Sequence, residues 1–185
     1  MTFRERAPVA MADIGRAVAA TDPVAVQDLV EEIALADQIA LYGVGREGLM
    51  MKGLAMRLYH LGINAHVVGD MSTPPLGQGD LLIVSAGPGD FSTVAGLVGM
   101  AKAAGARTAC VTAVPEGAVP RACDSVLVLP AQTMANDTGS SASVLPMGSL
   151  FEGAQYVVFE LLVLSLRDRL GETAEAMRAR HTNLE

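Results

Sequence analysis

The sequence predicts an α/β protein built on a parallel sheet, and three observations carry that expectation. Short apolar runs of strand length alternate with longer stretches whose apolar residues recur at helical spacing. Two of these runs open directly into glycine loops, Gly43-Val-Gly-Arg-Glu-Gly48 and Ala86-Gly-Pro-Gly-Asp90. The composition is 51% apolar but only 4% aromatic, dominated by the Ala, Val, Leu, Met and Gly that pack helices onto a parallel sheet. Alternating strands and helices imply a sheet covered on both faces. Ligands of such sheets sit at the carboxyl ends of the strands, where both glycine loops should open.

Taken in order, Pro8 to Ala20 and Asp22 to Ala36 read as helices, the second with Asp22 as N-cap and Pro23 in the first turn. Ile39 to Tyr42 is the first strand and Arg46 to Leu61 the following helix. Its apolar face is Leu49, Met50, Leu54, Met56, Leu58 and Leu61, and Gly62 ends it. Asn64 to Val68 is the second strand, and Met71 to Gly79, with its prolines and glycines, a loop. Leu81 to Ser85 is the third strand and Ser92 to Ala104 the next helix. Arg107 to Thr112 and Ser125 to Leu129 are the last strands, with a short helix over Gly117 to Ala122 between them. Ala131 to Ser143, rich in Ser, Thr, Asn and Asp, reads as a mobile surface loop. Leu150 to Leu170 is a long apolar helix ended by Gly171, and Glu172 to Ala179 a short final one. The expected organisation is one domain over residues 1–185, with N-terminal helices (8–36) and C-terminal helices (148–180) packed on the sheet core.

The balance of charges excludes some partners. The formal net charge is −7 and no basic patch stands out, which argues against nucleic acid and anionic membrane. Cys110 and Cys123 lie far from any C-x-x-C spacing, so neither a disulfide framework nor a zinc site is expected, and a reducing cytoplasm is the expected setting. The N-terminal residues lack the apolar core of a signal peptide. The most apolar window, Tyr156 to Leu166, contains Glu160 and is too short to span a bilayer.

The first glycine loop carries two readings. A strand turning through glycines into a helix presents bare N–H groups and a positive dipole end, which suits an anion. Its spacing is also G-x-G-x-x-G, the dinucleotide pattern, with Asp70 following the second strand where a ribose-binding acid would stand. Against a nicotinamide cofactor, Glu47 would bring a carboxylate toward the pyrophosphate, and no substrate domain accompanies the loop.

Three segments together resemble a known family. Tyr42-Gly-Val-Gly-Arg46 with Met56-Arg-Leu-Tyr-His-Leu-Gly62 is similar to the first loop and helix of sugar isomerase (SIS) domains. Leu145-Pro-Met-Gly-Ser-Leu-Phe-Glu152 and Arg178-Ala-Arg-His-Thr-Asn-Leu-Glu185 resemble one branch, the 6-phospho-3-hexuloisomerases. The resemblance runs over roughly residues 10–185. It implies a three-layer αβα sandwich with a five-stranded parallel sheet of the doubly wound, flavodoxin type. It also implies a homodimer or homotetramer and cofactor-free aldose–ketose isomerisation of a sugar or sugar phosphate. That chemistry needs a base to move a proton between neighbouring carbons and donors for the enediolate oxygens.

The resemblance makes Glu152 the general base and His181 a second site residue, with Gly45, Arg46, Glu47, Ser85, Gly87, Asp90 and Ser92 lining the substrate loops. Each also has a plainer reading. Ser149-Leu-Phe-Glu152 fits a capping box, in which Glu152 would serve the helix terminus. His181 would be a solvated terminal histidine and Arg46 a neutraliser of Glu47. Glu47 and Asp90 would be exposed acids favoured by helix dipoles. A helix from Leu150 to Leu170 is about 30 Å long, so if Glu152 and His181 serve one site, His181 should come from a neighbouring subunit. The loops also depart from the family pattern: Glu47, Gly87 and Asp90 stand where hydroxyl residues are usual. Like charges about 4 Å apart repel by about 4 kcal/mol at a surface-like dielectric. The resemblance implies a sugar or sugar phosphate isomerase, whose loops point to altered phosphate recognition; the alternative is a non-catalytic sugar-binding or regulatory module that has kept the fold.

Overall fold

The computed structural model describes residues 1–138 and 143–184. Its centre is a five-stranded parallel sheet in the order β2-β1-β3-β4-β5, formed by β1 (Ile39–Gly43), β2 (Ala65–Val67), β3 (Leu81–Ser85), β4 (Arg107–Thr112) and β5 (Ser125–Val128). This is the doubly wound order expected from the resemblance. The strand β3 is central because its residues are buried along its whole length, and a continuous apolar run suits a strand covered on both faces.

Side-chain alternation divides the core in two. Ile39, Leu41, Leu81, Ile83, Ala109, Val111 and Leu127 face one side. There they meet α2 (Pro23–Ala34), α3 (Gly45–His60) and α6 (Ser149–Leu170), and α1 (Phe3–Ala19) packs on α6. Ala40, Leu82, Val84 and Cys110 face the other side, under α4 (Ser92–Ala103) and α5 (Ala118–Ala122). Ser85 ends β3 in the same alternation as Leu81 and Ile83, so it belongs to the α3 and α6 side.

Several boundaries moved. The first helix begins at Phe3, not Pro8, because Thr2 and Glu5 form a capping box that the proline obscured. Asp22 caps α2 as expected, accepting from Val24 N–H at 2.9 Å. The last helix, α7, is confined to Ala174–Ala179 and capped by Thr173.

The loop after β5 is not the mobile surface segment its composition suggests. Ala131, Gln132, Thr133 and Ser143 are buried. Thr133 and Asn136 cap a 3-10 turn over Met134–Asn136, Gln132 C=O accepts from Phe151 N–H at 3.2 Å, and Ser143 Oγ donates to Asp13 of α1 at 2.6 Å. Several of its polar residues pair with one another and with neighbouring elements, while Met134, Ala135, Asn136 and Thr138 remain exposed. Residues 139–142 of that expected loop lie outside the described residues.

The long helix α6 spans 22 residues, enough to cross a bilayer, so length does not exclude a span. Its surroundings give the better account: half of its most apolar window is buried within the fold. Leu150, Phe151, Val158, Phe159, Leu162, Val163 and Leu166 form the spine of the larger core, each large side chain contributing about 1.5–3 kcal/mol. Glu160 on its flank pairs with Arg57 of α3 at 2.8 Å.

The start of α6 is tertiary in origin. Gly148, not Ser149, is its N-cap, in the left-handed conformation with φ +66°. A Cβ there would lie 2.0 Å from the Thr133 carbonyl carbon. Gly171 closes the same helix at φ +66°, with nothing within 4 Å of a Cβ. Gly171→Ala should therefore lose about 1–2 kcal/mol for the left-handed backbone alone. Gly148→Ala should lose more than about 3 kcal/mol, because backbone must also move. Urea unfolding of the two variants gives the comparison, and equal losses would show that the approach of Thr133 is easily relieved.

Candidate active site at the carboxyl edge of the sheet

In the order β2-β1-β3, connections diverge between β1 and β3, and the crevice at their carboxyl ends is where such sheets bind ligands. The loop after β1 turns at Gly45, with φ +58°, directly into α3. Gly43 and Gly48 are explained by packing: a Cβ on Gly48 would lie 2.5 Å from Gly43 O. The loop after β3 is fixed from behind by β4, where Thr112 Oγ1 donates to Ala86 O at 2.7 Å and Ala113 N–H to Gly87 O at 3.0 Å.

Glu47 joins the two loops. It is only 6% exposed, and its Oε2 accepts from Ser85 Oγ–H at 2.5 Å and from Gly87 N–H at 2.9 Å. Gln155 of α6 donates from Nε2 to Ser85 Oγ at 2.9 Å. The reading of Glu47 as an exposed helix-start acid is thus overturned: the carboxylate turns inward because two donors on the neighbouring strand wait for it. Burial raises its pKa above the ordinary carboxylate value, and the Glu152 charge adds to the rise. The Ser85 and Gly87 hydrogen bonds and the Arg46 charge oppose it.

Glu152 stands beside this cluster without capping α6: among the described residues its carboxylate pairs with Arg46, Gly148 N–H donates to Asp137 at 3.2 Å, and Ser149 Oγ donates to Pro146 O at 2.8 Å. The capping-box reading fails because Ser149 is already inside the helix. Glu152 Oε1 lies 3.2 Å from Arg46 Nε, its side chain 14% exposed. Arg46 also donates from Nη2 to Met147 O at 2.6 Å. Met147 holds a left-handed backbone, φ 55°, unusual for a residue with a side chain. Arg46 therefore reaches Glu152 and the α6 entry in preference to neutralising Glu47.

The other expected residues fall outside this cluster. Asp90 and Ser92 are exposed at the start of α4. His181 stacks on His60 at the far end of α3, ring centroids 5.4 Å apart. Arg180 anchors it there, donating to His60 O at 2.9 Å and to Glu172. Arg46 and His60 are separated by about 21 Å of helix, so within one protomer His181 and Glu152 occupy opposite edges of the sheet. Gln155 was missed in the sequence. The signal was there: it is an amide in an otherwise apolar helical stripe, three residues after Glu152.

Comparisons with known proteins bear on the family. The SIS domain family model matches residues 32–164. The chain belongs to the SIS domain family. Among SIS relatives, a 3-hexulose-6-phosphate isomerase of Mycobacterium gastri is 39% identical over 173 residues, covering 94% of this chain and 86% of that one. A protein of the same name from Bacillus subtilis (strain 168) is 38% identical over 143 residues, 77% of each chain. A crystal structure from Methanococcus jannaschii, for which a 3-hexulose-6-phosphate isomerase function was inferred, superposes with a TM-score of 0.84. It is 27% identical and covers 98% of this chain and 99% of its own. The dinucleotide reading of the glycine loop and Asp70 gives way to this membership.

The raised pKa of Glu47 carries a stability consequence. Because the folded value lies above the unfolded one, the ionised carboxylate lowers stability above its folded pKa, and this loss disappears as pH falls below the ordinary carboxylate range. Glu47→Gln should raise the unfolding midpoint at about pH 7.5, by about 2–4 °C for each kcal/mol recovered. The gain should vanish toward about pH 4. A gain that is independent of pH would contradict this origin.

Proposed function

We propose that the chain is an aldose–ketose isomerase of a small sugar or sugar phosphate, working without a cofactor through an enediolate. The observation that carries this reading is the placement of Glu152: a partly exposed carboxylate at the ligand edge, not spent on capping its helix and adjoining a guanidinium. Similarity to relatives named 3-hexulose-6-phosphate isomerase supports the same class of reaction.

In this reading the substrate carbonyl and its neighbouring hydroxyl-bearing carbon lie over Glu152. The carboxylate removes the proton from that carbon, and the electron pair moves into the carbonyl to give an enediolate. Arg46, released from part of its contact with Glu152, faces the developing oxyanion, where a fixed cation is most effective. The protonated Glu152 returns the proton to the former carbonyl carbon, and the hydroxyl proton moves between the oxygens. His181 shuttles that second proton from a neighbouring subunit, in a homodimer or homotetramer, because it is remote from Glu152 within its own chain.

The test follows carbon-bound protons by NMR in D2O with a panel of ketoses, aldoses and their phosphate esters. The wild-type protein should introduce deuterium at the carbon next to the carbonyl. Glu152→Gln should slow exchange by about 10²–10⁴-fold with unchanged unfolding. Retained exchange in that variant removes Glu152 as the base, and sugar binding without exchange in the wild type would make the chain a binding module.

Glu152→Gln and His181→Ala subunits, each inactive alone, should recover activity when unfolded and refolded together, since mixed oligomers regain one intact site. No recovery in oligomers shown to be mixed would place both residues' roles within one chain or remove His181 from the reaction.

A further inference from the structure

The crevice between β1 and β3 already contains an anion, and it belongs to the chain. Ser85 Oγ–H and Gly87 N–H converge on a single carboxylate oxygen of Glu47. Together with the start of α3 they form the arrangement that ordinarily receives a phosphate or carboxylate from solution. The one hydroxyl hydrogen of Ser85 goes to Glu47, and Gln155 donates to Ser85 Oγ from the other side, so the serine has no further donor to offer. Space is equally committed: a Cβ on Gly87 would lie 2.9 Å from Glu47 Oε1 and 3.0 Å from Phe151 Cε1.

We propose that Glu47 closes this anion cradle, so that Ser85 and Gly87 hold no substrate phosphate and the part of the substrate lying over the cradle, against Glu47, is an uncharged, hydroxyl-bearing group. The inference rests on the isomerase reading for the identity of the ligand, while the occupancy of the cradle stands independently of it.

Charge agrees with geometry. The charged groups at the cluster are Glu47 and Arg46 from α3 and Glu152 from α6, with Lys52 further along α3 beside the first glycine loop. Two carboxylates oppose the Arg46 guanidinium, which is itself engaged by Glu152. A phosphate dianion entering here would lose two of its donors to Glu47 and meet repulsion from that carboxylate. A sugar hydroxyl meets the opposite situation. Glu47 Oε1 accepts no hydrogen bond among the described residues, and a carboxylate oxygen is a strong acceptor for an O–H donor. The same residue that repels a phosphate can therefore orient a polyol.

The cradle is tested first with inorganic phosphate, read by the ¹⁵N–¹H signal of the Gly87 amide. In the wild-type protein that signal should stay still as phosphate is added. In Glu47→Ser it should shift saturably, with phosphate binding at least about tenfold tighter. Glu47→Gln keeps the volume and removes the charge, and should fall between the two. It also provides the comparison if Glu47→Ser does not fold. Saturable phosphate binding at Gly87 in the wild type, as tight as in the variants, would overturn the proposal.

A second readout uses turnover. The ratio of kcat/KM for a free ketose to that for its phosphate ester should fall at least about tenfold from wild type to Glu47→Ser, and an unchanged ratio would overturn the assignment of specificity to Glu47. If no sugar is turned over while the Gly87 shifts follow expectation, the isomerase reading fails and the closed cradle stands.

Discussion

The hydrogen bonds from Ser85 and Gly87 to the buried Glu47 carboxylate hold the ligand edge of this protein together. They tie α3 to the loop after β3, and through Gln155 they tie both to α6. A buried carboxylate is tolerated only when its lost hydration is replaced, and here a hydroxyl and a backbone amide replace it. The arrangement has directional consequences. With Glu47 turned inward, Arg46, one position earlier on α3, points outward toward Glu152 and the carbonyl of Met147. The position of the proposed base is thus coupled to a contact made on the next strand.

Most of the fold was legible because it follows from local pattern. The run Leu81-Leu-Ile-Val-Ser85 reads as a strand buried on both faces, and it is the fully buried centre of the sheet. Asp22 before Pro23 announces a helix start, and the aspartate makes the expected hydrogen bond. The errors arose where distant backbone decides. Ser149-Leu-Phe-Glu152 matches a helix-capping pattern. Yet the chain enters α6 through left-handed Met147 and Gly148, because the strand-end segment at Thr133 presses against Gly148. No local pattern announces that approach. Likewise the polar loop after β5 looked solvated because its partners, Asp13 above all, lie far away in sequence.

The cluster at the carboxyl ends of the strands was legible in which residues meet more than in how they turn. Arg46, Glu47, Ser85, Gly87 and Glu152 do come together. What could not be read was which way Glu47 turns, since an acid in the first turn of a helix is stabilised by the dipole whether it faces water or the protein. The decision belongs to Ser85 and Gly87, nearly forty residues later. Asp90 shows the contrast: a similar acid near a helix start, with no such donors, remains exposed. The repulsion foreseen between loop carboxylates and a ligand anion was thus resolved in two ways, one acid folded into the cradle and the other left in solvent.

The placement of Glu47 also bears on how the guanidinium is used. Catalysis gains only from interactions stronger in the transition state than in the bound substrate. A cation recruited to a phosphate interacts equally in both and contributes to affinity alone. By filling the cradle, Glu47 keeps a mobile anion from binding there, and Arg46 makes its ion pair with Glu152. In the proposed reaction Glu152 loses its charge as it takes up a proton, and a negative charge forms on the enediolate beside it. Arg46 would then exchange one anion for another during the proton transfer. Under the proposal, a neutral sugar end lying over Glu47 leaves that exchange undisturbed, and the carboxylate in the glycine loop would then act on the reaction as well as on the choice of substrate.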